Sequence, residues 1–343
     1  MLRKITIVFG ILILTSVIMA INGKQKDIGT IWTVLGPIKS DRMGITLPHE
    51  HVLVDFIGSE MVSQDRYDAE DAFQVILPHL QRIKQFDVQT LVECTPSYLG
   101  KDPLLLKRLA ERTRINIITN TGYYGAHNNK FLPAHAFTET ADQLAERWIK
   151  DWEDGIEGTG VKPGFIKIGI DAGPLSDLHR KLVQAAARTH LKTGLSIGSH
   201  TGSGPILDEI EILEQEGVSP GALIWIHANA EKNLTKHVEI AKLGAWIEFD
   251  GLAWESIDVY IKLLSHMREN GLLDHVLISH DAGWYDPAKK DGGEFKEYEI
   301  LFLKLIPALK NNGFTPGEID QLIVHNPASA FTIRIRSLHN QEE

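Results

Sequence analysis

The 343-residue chain is predicted to fold as one α/β domain, a (β/α)8 TIM barrel, behind a short N-terminal extension. Three observations predict it. Eight short, β-rich apolar runs recur along the chain, and helix-like segments separate most of them. Histidines and an aspartate end several of those runs, where a barrel of this kind gathers its site. An open dinucleotide-binding sheet would need a glycine-rich phosphate turn after its first strand, and the sequence has none.

Taken in order, the first run is Gly44–Val54, which carries His49 and His51, and Ala69–Phe86 follows it as a helix. Thr90–Cys94 pairs with helix Pro103–Thr113, and Ile115–Thr119 with helix Thr138–Gly155. Phe165–Ile170 precedes helix Leu178–Lys192, and Leu195–His200 precedes Pro205–Gln215. Leu223–His227 leads into Asn233–Leu243, Ala245–Phe249 into Ser256–Asn270, and Val276–His280 closes the set. Each helical segment places apolar residues at three- and four-residue steps with charges between them.

With 43% hydrophobic and 23% charged residues, the chain has material for a full core. A formal net charge of −10 without a concentrated basic run argues against a nucleic-acid partner. Cys94 is the only cysteine, so no internal disulfide can form. Arg3 and Lys4 precede the apolar stretch Ile5 to Ala20, and small or polar residues follow to Gly23. Residues 1–23 therefore read as a secretory signal peptide, with an uncleaved membrane anchor as the alternative. The expectation is an exported protein, periplasmic or secreted, whose barrel occupies 24–343.

The residue that demands an explanation is Lys167, inside Phe165-Ile166-Lys167-Ile168-Gly169-Ile170. A buried ammonium is costly and rare. His49 and His51 are two apart in an extended segment, so both rings face one side and Glu50 the other. His200 and His227 end the fifth and sixth runs, and Asp281 follows the eighth. His280 points away from Asp281 and is expected to be structural. Six protein ligands exceed what one catalytic zinc uses. Two metals about 3.5–4 Å apart would use them all, given a bridging anion. Lys167 carboxylated to an N-carbamate (N6-carboxylysine) supplies that anion.

On these residues the chain resembles the phosphotriesterase family of the amidohydrolase superfamily, including its phosphotriesterase-like lactonases and phosphotriesterase-related proteins. The shared segments are Thr33-Val34-Leu35-Gly36-Pro37-Ile38, Gly44 to His51, the lysine strand, Ser279-His280-Asp281-Ala282 and Asn326-Pro327-Ala328-Ser329-Ala330-Phe331. The resemblance implies His49, His51 and Asp281 on the more buried metal, His200 and His227 on the other, and Lys167 bridging both. It implies a metal-bridging hydroxide as nucleophile, with Asp281 shuttling the proton. It matches Tyr124 to a tyrosine beside the substrate oxygen, and makes Trp284 and Tyr285 walls of the leaving-group pocket. Zinc suits the ligands best, and iron, manganese, cobalt or nickel would also suit them. A homodimer is a further expectation by analogy.

Two departures bear on the substrate. Gly251 follows Asp250 where family members carry a histidine or arginine, and no acidic residue directly follows His227, which leads into Ala228-Asn229-Ala230-Glu231. The specialised phosphotriesterase relay is thus expected to be incomplete. A carboxylic ester or lactone is the expected substrate, with weak phosphotriesterase activity. The alternatives are a mononuclear barrel hydrolase such as a deaminase, which leaves Lys167 without a role, and a non-catalytic binding protein.

Overall fold

The computed structural model describes residues 29–338, so the signal-peptide expectation for residues 1–23 lies outside the described residues. The barrel wall is built in chain order from Ile45–Leu53, Val88–Glu93, Asn116–Ile118 continued by Asn120–Thr121, Phe165–Gly169 and Ser196–His200. Leu223–Ile226, Trp246–Phe249 and Val276–Ile278 complete it. Neighbouring strands are parallel throughout. They are called here the first to eighth barrel strands.

Closure comes from the chain after the eighth strand. The backbone N of Asp281 donates to His49 O at 3.1 Å, and that of His51 to Ala282 O at 2.8 Å. The short strand Gly283–Tyr285 then runs parallel to the first, with Gly283 opposite His51 and Tyr285 opposite Leu53. Its pairing continues the barrel seam past Asp281 and holds the segment beside the site.

The strands read as apolar runs because helices cover their outer face and the barrel fills their inner one. Phe165–Gly169 is buried at every position. Ile166 and Ile168 join the outer core with the helices. Phe165 turns inward with Ile31, Val92, Ile224, Leu277 and Phe331, forming an apolar floor. Lys167 shares the inward face with Phe165, one step further up the strand.

The covering helices start and stop close to the expected places, and the differences have local causes. The first, Ala69–Ile83, begins at Asp68, whose carboxylate accepts from the backbone N of Glu70 and Asp71. The third was expected from Thr138 but is Ala141–Asp154, because Thr140 and Gln143 form a reciprocal capping box there. Thr138 instead ends a separate short helix, Ala134–Thr138. The third strand was expected to run unbroken, but it changes partner around Thr119, whose carbonyl accepts from Gly164 N at 2.7 Å.

The N-terminal extension is a hairpin, Thr30–Thr33 with Gly36–Lys39, and Ile31 contributes to the floor. At the C-terminal end, wide π turns at Leu301–Leu305 and Gln321–His325 lead into Pro307 and Pro327. A proline ring crowds the carbonyl four residues earlier, and widening the turn relieves this. Asn326 Nδ2 donates to Leu273 O and Val276 O, at 2.8 and 2.6 Å, pinning the last helix beneath the eighth strand.

Candidate metal centre

The residues singled out by their positions at strand ends converge. His49, His51, Lys167, His200, His227 and Asp281 line one cavity of about 220 Å³ at the carboxyl ends of the strands. His49 and His51 project together from the first strand, their ring centroids 5.4 Å apart. Nε2 of His51 lies 3.1 Å from Asp281 Oδ1, and Nε2 of His49 lies 3.8 Å from it. Their ligand atoms with that of Asp281 fall within 4.8 Å of one another. On the other side, the His200 and His227 rings meet edge to face at 4.3 Å.

Each histidine also has a neighbour that can fix its orientation. His51 Nδ1 lies 2.8 Å from Thr95 Oγ1, and His227 Nδ1 lies 2.8 Å from Asp250 Oδ1. His49 Nδ1 lies 3.1 Å from Glu248 Oε2. The Tyr124 hydroxyl stands 3.0 Å from His200 Nε2. A second trio of donor atoms, from His49, His227 and Asp250, gathers on the Nδ1 side of the rings. It is the orienting cluster, leaving Nε2 of these rings for a ligand. Partners of this kind set the tautomer and direction of a ligating imidazole.

The electrostatics suit cation binding. Burial, then the Lys167 charge, pulls the His49 pKa down to about 3. Burial, with His227 and Lys167, holds His200 well below its ordinary value. Both rings are therefore neutral, the form that ligates. Burial also opposes the charge of Asp281, but the hydrogen bond from His51 and the nearby histidines outweigh it and hold its carboxyl below the usual range. Asp250 is held well below for a similar reason, His227 and His49 overcoming its burial. Burial and then Asp250 push Glu248 well above.

Some backbone strain falls at the site. His227, Asp281 and Trp284 adopt left-handed backbone with φ of 61°, 52° and 77°. Such residues cost on the order of 1–3 kcal/mol each and persist where the surroundings over-determine them.

Lys167 is only 2% exposed, and among the described residues its Nζ makes no hydrogen bond or ion pair. This buried amine faces four imidazoles and a carboxylate across the cavity. The donor set fits divalent metals, with His49, His51 and Asp281 on one side, His200 and His227 on the other, and Lys167 between the strands that carry them.

Two expectations need comment. Trp284 lines the cavity, but Tyr285 does not. Trp284, in left-handed backbone, turns its ring to the cavity, whereas Tyr285 is buried outward, with its ring 6.3 Å from that of Tyr67. Tyr285 as a pocket wall is therefore corrected. His280 is structural: Nδ1 lies 2.6 Å from Glu50 Oε1, and Nε2 accepts from Leu301 N at 3.0 Å.

The sequence reading missed Glu248, Thr95 and the orienting role of Asp250. The signal was available in Trp246-Ile247-Glu248-Phe249-Asp250, where two carboxylates share one face of a buried strand. It also missed the rim, where the Trp284 ring lies 5.5 Å from Phe56 and 5.4 Å from Trp254. Gly251 has no space for a larger residue as packed here, since a Cβ there would lie 2.6 Å from Asn229 Nδ2.

Comparison with known proteins points to one family. The sequence profile of the phosphotriesterase family matches residues 29–331. A phosphotriesterase homology protein of Escherichia coli is 30% identical, over 85% of this chain and 99% of its own length. An aryldialkylphosphatase of Saccharolobus solfataricus is 29% identical, over 86% and 97%. An N-acetyltaurine hydrolase of Xenopus tropicalis is 25% identical, over 89% and 99%. A solved mutant of an organophosphorus hydrolase from Deinococcus radiodurans has the same fold, with a TM-score of 0.80 at 24% identity, covering 88% of this chain and 97% of that one. A match spanning nearly the whole barrel leads to one assignment: the chain belongs to the phosphotriesterase family and is a hydrolase.

Proposed function

We propose that the protein is a binuclear metal-dependent hydrolase of an ester-like bond, a carboxylic ester or lactone, with weak phosphotriesterase activity. The observation that carries this reading is the orphaned Lys167 among His49, His51, His200, His227 and Asp281. As a neutral amine, Lys167 would attack carbon dioxide, forming an N–C bond and releasing one proton, and the carbamate would bridge two divalent ions. Zinc is the ion proposed. Such ions, when bound, lower the pKa of water and polarise a substrate oxygen.

The protein's own groups divide the remaining work. Asp281, ionised and 3.1 Å from His51 Nε2, is placed to accept the proton released as water adds to the substrate. Burial keeps the Tyr124 hydroxyl protonated, so it can donate to a developing oxyanion beside His200. Val54, Phe56, Leu99 and Trp284 form an apolar wall that excludes water and suits an uncharged aryl or alkyl group.

A second reading, cleavage of an N-acyl amine with an anionic tail, is favoured by Lys296, whose ammonium lies 3.8 Å over the Trp254 ring near the rim. The deciding experiment presents metal-loaded protein with lactones, aryl esters, organophosphates and sulfonated N-acyl amines. Turnover of the uncharged esters above the rest supports the proposal. Fewer than two metals per chain after loading with zinc and bicarbonate overturns its binuclear part. The exported location is likewise a proposal, checked by N-terminal sequencing of the mature protein for cleavage near residue 23.

A further inference from the structure

The seventh strand places two carboxylates, Glu248 and Asp250, on the inward face, and both approach Nδ1 of His49. The distances are 3.1 Å from Glu248 Oε2 and 3.0 Å from Asp250 Oδ2. They are not equivalent. Asp250 is already engaged by His227, whose Nδ1 and backbone N lie 2.8 and 3.0 Å from its two oxygens. His49 therefore shares Asp250 with His227, and its hydrogen bond to Glu248 is a second carboxylate contact. Glu248 is 1% exposed, and its Oε1 has no partner among the described residues. A fully buried glutamate side chain is thus held against a candidate metal ligand. Packing does not ask for it: Ile247 and Phe249, its neighbours on the strand, supply the outer core.

We infer that Glu248 is a positioning residue of the metal centre. Its Oε2 accepts from Nδ1 of His49, which keeps the hydrogen there and turns Nε2 toward the cavity, where His51 and Asp281 converge. Asp250 meets both His49 and His227, and Thr95 meets His51, so Glu248 is the carboxylate particular to His49. The inference rests on the proposal that these residues hold metal.

The test compares wild type, E248Q, E248A and H49A, each loaded with zinc and challenged with graded chelator, with bound zinc per chain measured. Glu248→Ala is expected to bind zinc about 10–100-fold more weakly, the usual cost of losing an orienting partner. Glu248→Gln keeps an acceptor oxygen and is expected to stay near wild type. In the metal-free proteins, nitrogen NMR of the imidazoles should show the Nδ1–H form of His49 in wild type and E248Q, and lose it in E248A. A merely structural role would leave that tautomer unmoved. Wild-type zinc affinity and an unchanged His49 tautomer in E248A overturn the inference. If E248A fails to fold, a folded E248Q that loses zinc to the level of H49A overturns it instead. Wild type holding a single zinc overturns the binuclear reading alone, because the variants are still ranked against it. Wild type holding none overturns both.

Discussion

Nδ1 of His227 and Oδ1 of Asp250 are 2.8 Å apart, so the aspartate before Gly251 orients a candidate ligand. From the sequence, Asp250 read as the remnant of a relay whose next member is missing. In the fold it is fully buried and engaged on both oxygens. Asp250→Ala should therefore weaken zinc binding by about 10–100-fold, while Asp250→Asn, which retains an acceptor, should be milder. Equilibrium dialysis with metal analysis checks both.

Lys167 offers a cleaner separation of metal binding from folding. Lys167→Met removes a buried amine without a partner, so the metal-free variant should melt no lower than metal-free wild type. It should nevertheless fail to retain two metals per chain and lose most of its activity. A variant that keeps both metals would show that the lysine does not bridge them.

For Tyr124, whose hydroxyl is 3.0 Å from His200 Nε2, replacement by phenylalanine removes one donor and little volume. The expected result is a fall in kcat of about 10²–10³-fold with metal content unchanged, as for the loss of an oxyanion donor. Steady-state kinetics on a lactone or aryl ester, paired with metal analysis, would show whether chemistry or metal binding is affected.

At the rim, Trp284 packs between Phe56 and Trp254 above His51. Trp284→Ala should raise KM for substrates with large apolar groups more than it lowers kcat, the pattern of lost uniform binding. Small, compact esters should be affected less. An equal loss on both kinds of ester would place Trp284 outside the substrate's reach.

Stability should also depend on pH through Glu209, which is bonded to the residues flanking His200. This buried carboxyl has its pKa pushed up to about 7, burial outweighing hydrogen bonds from Ser199 and Thr201. Its folded pKa exceeds its unfolded value of 4.5, so its contribution is fully present below pH 4.5 and is lost as pH rises through 7. Over that window the contribution falls by about 3 kcal/mol, at 1.36 kcal/mol per pK unit. Glu209→Gln should flatten this part of the profile, measured by denaturant unfolding between pH 4.5 and 8.

Much of the candidate site was legible because its signals are local. Two histidines two apart on a strand must share a face, and a lysine inside an apolar run must be buried or modified. Residues ending successive parallel strands must collect at one rim. The same local rules could not choose between Trp284 and Tyr285, since no local pattern announces the left-handed backbone at Trp284. Glu248 was hidden for a different reason. A carboxylate in an apolar strand gains its meaning from a partner 199 positions away in sequence.

The sequence alone determined the alternation of strands and helices, the barrel they imply and the residues able to bind metal, because hydrophobic period and ligand chemistry are properties of short segments. The tertiary structure decided which nitrogen of each histidine is engaged, which carboxylate orients which ring, and that Trp284 rather than Tyr285 meets the cavity. Those outcomes depend on distances between strands far apart in sequence, which are settled only when the barrel closes and packs.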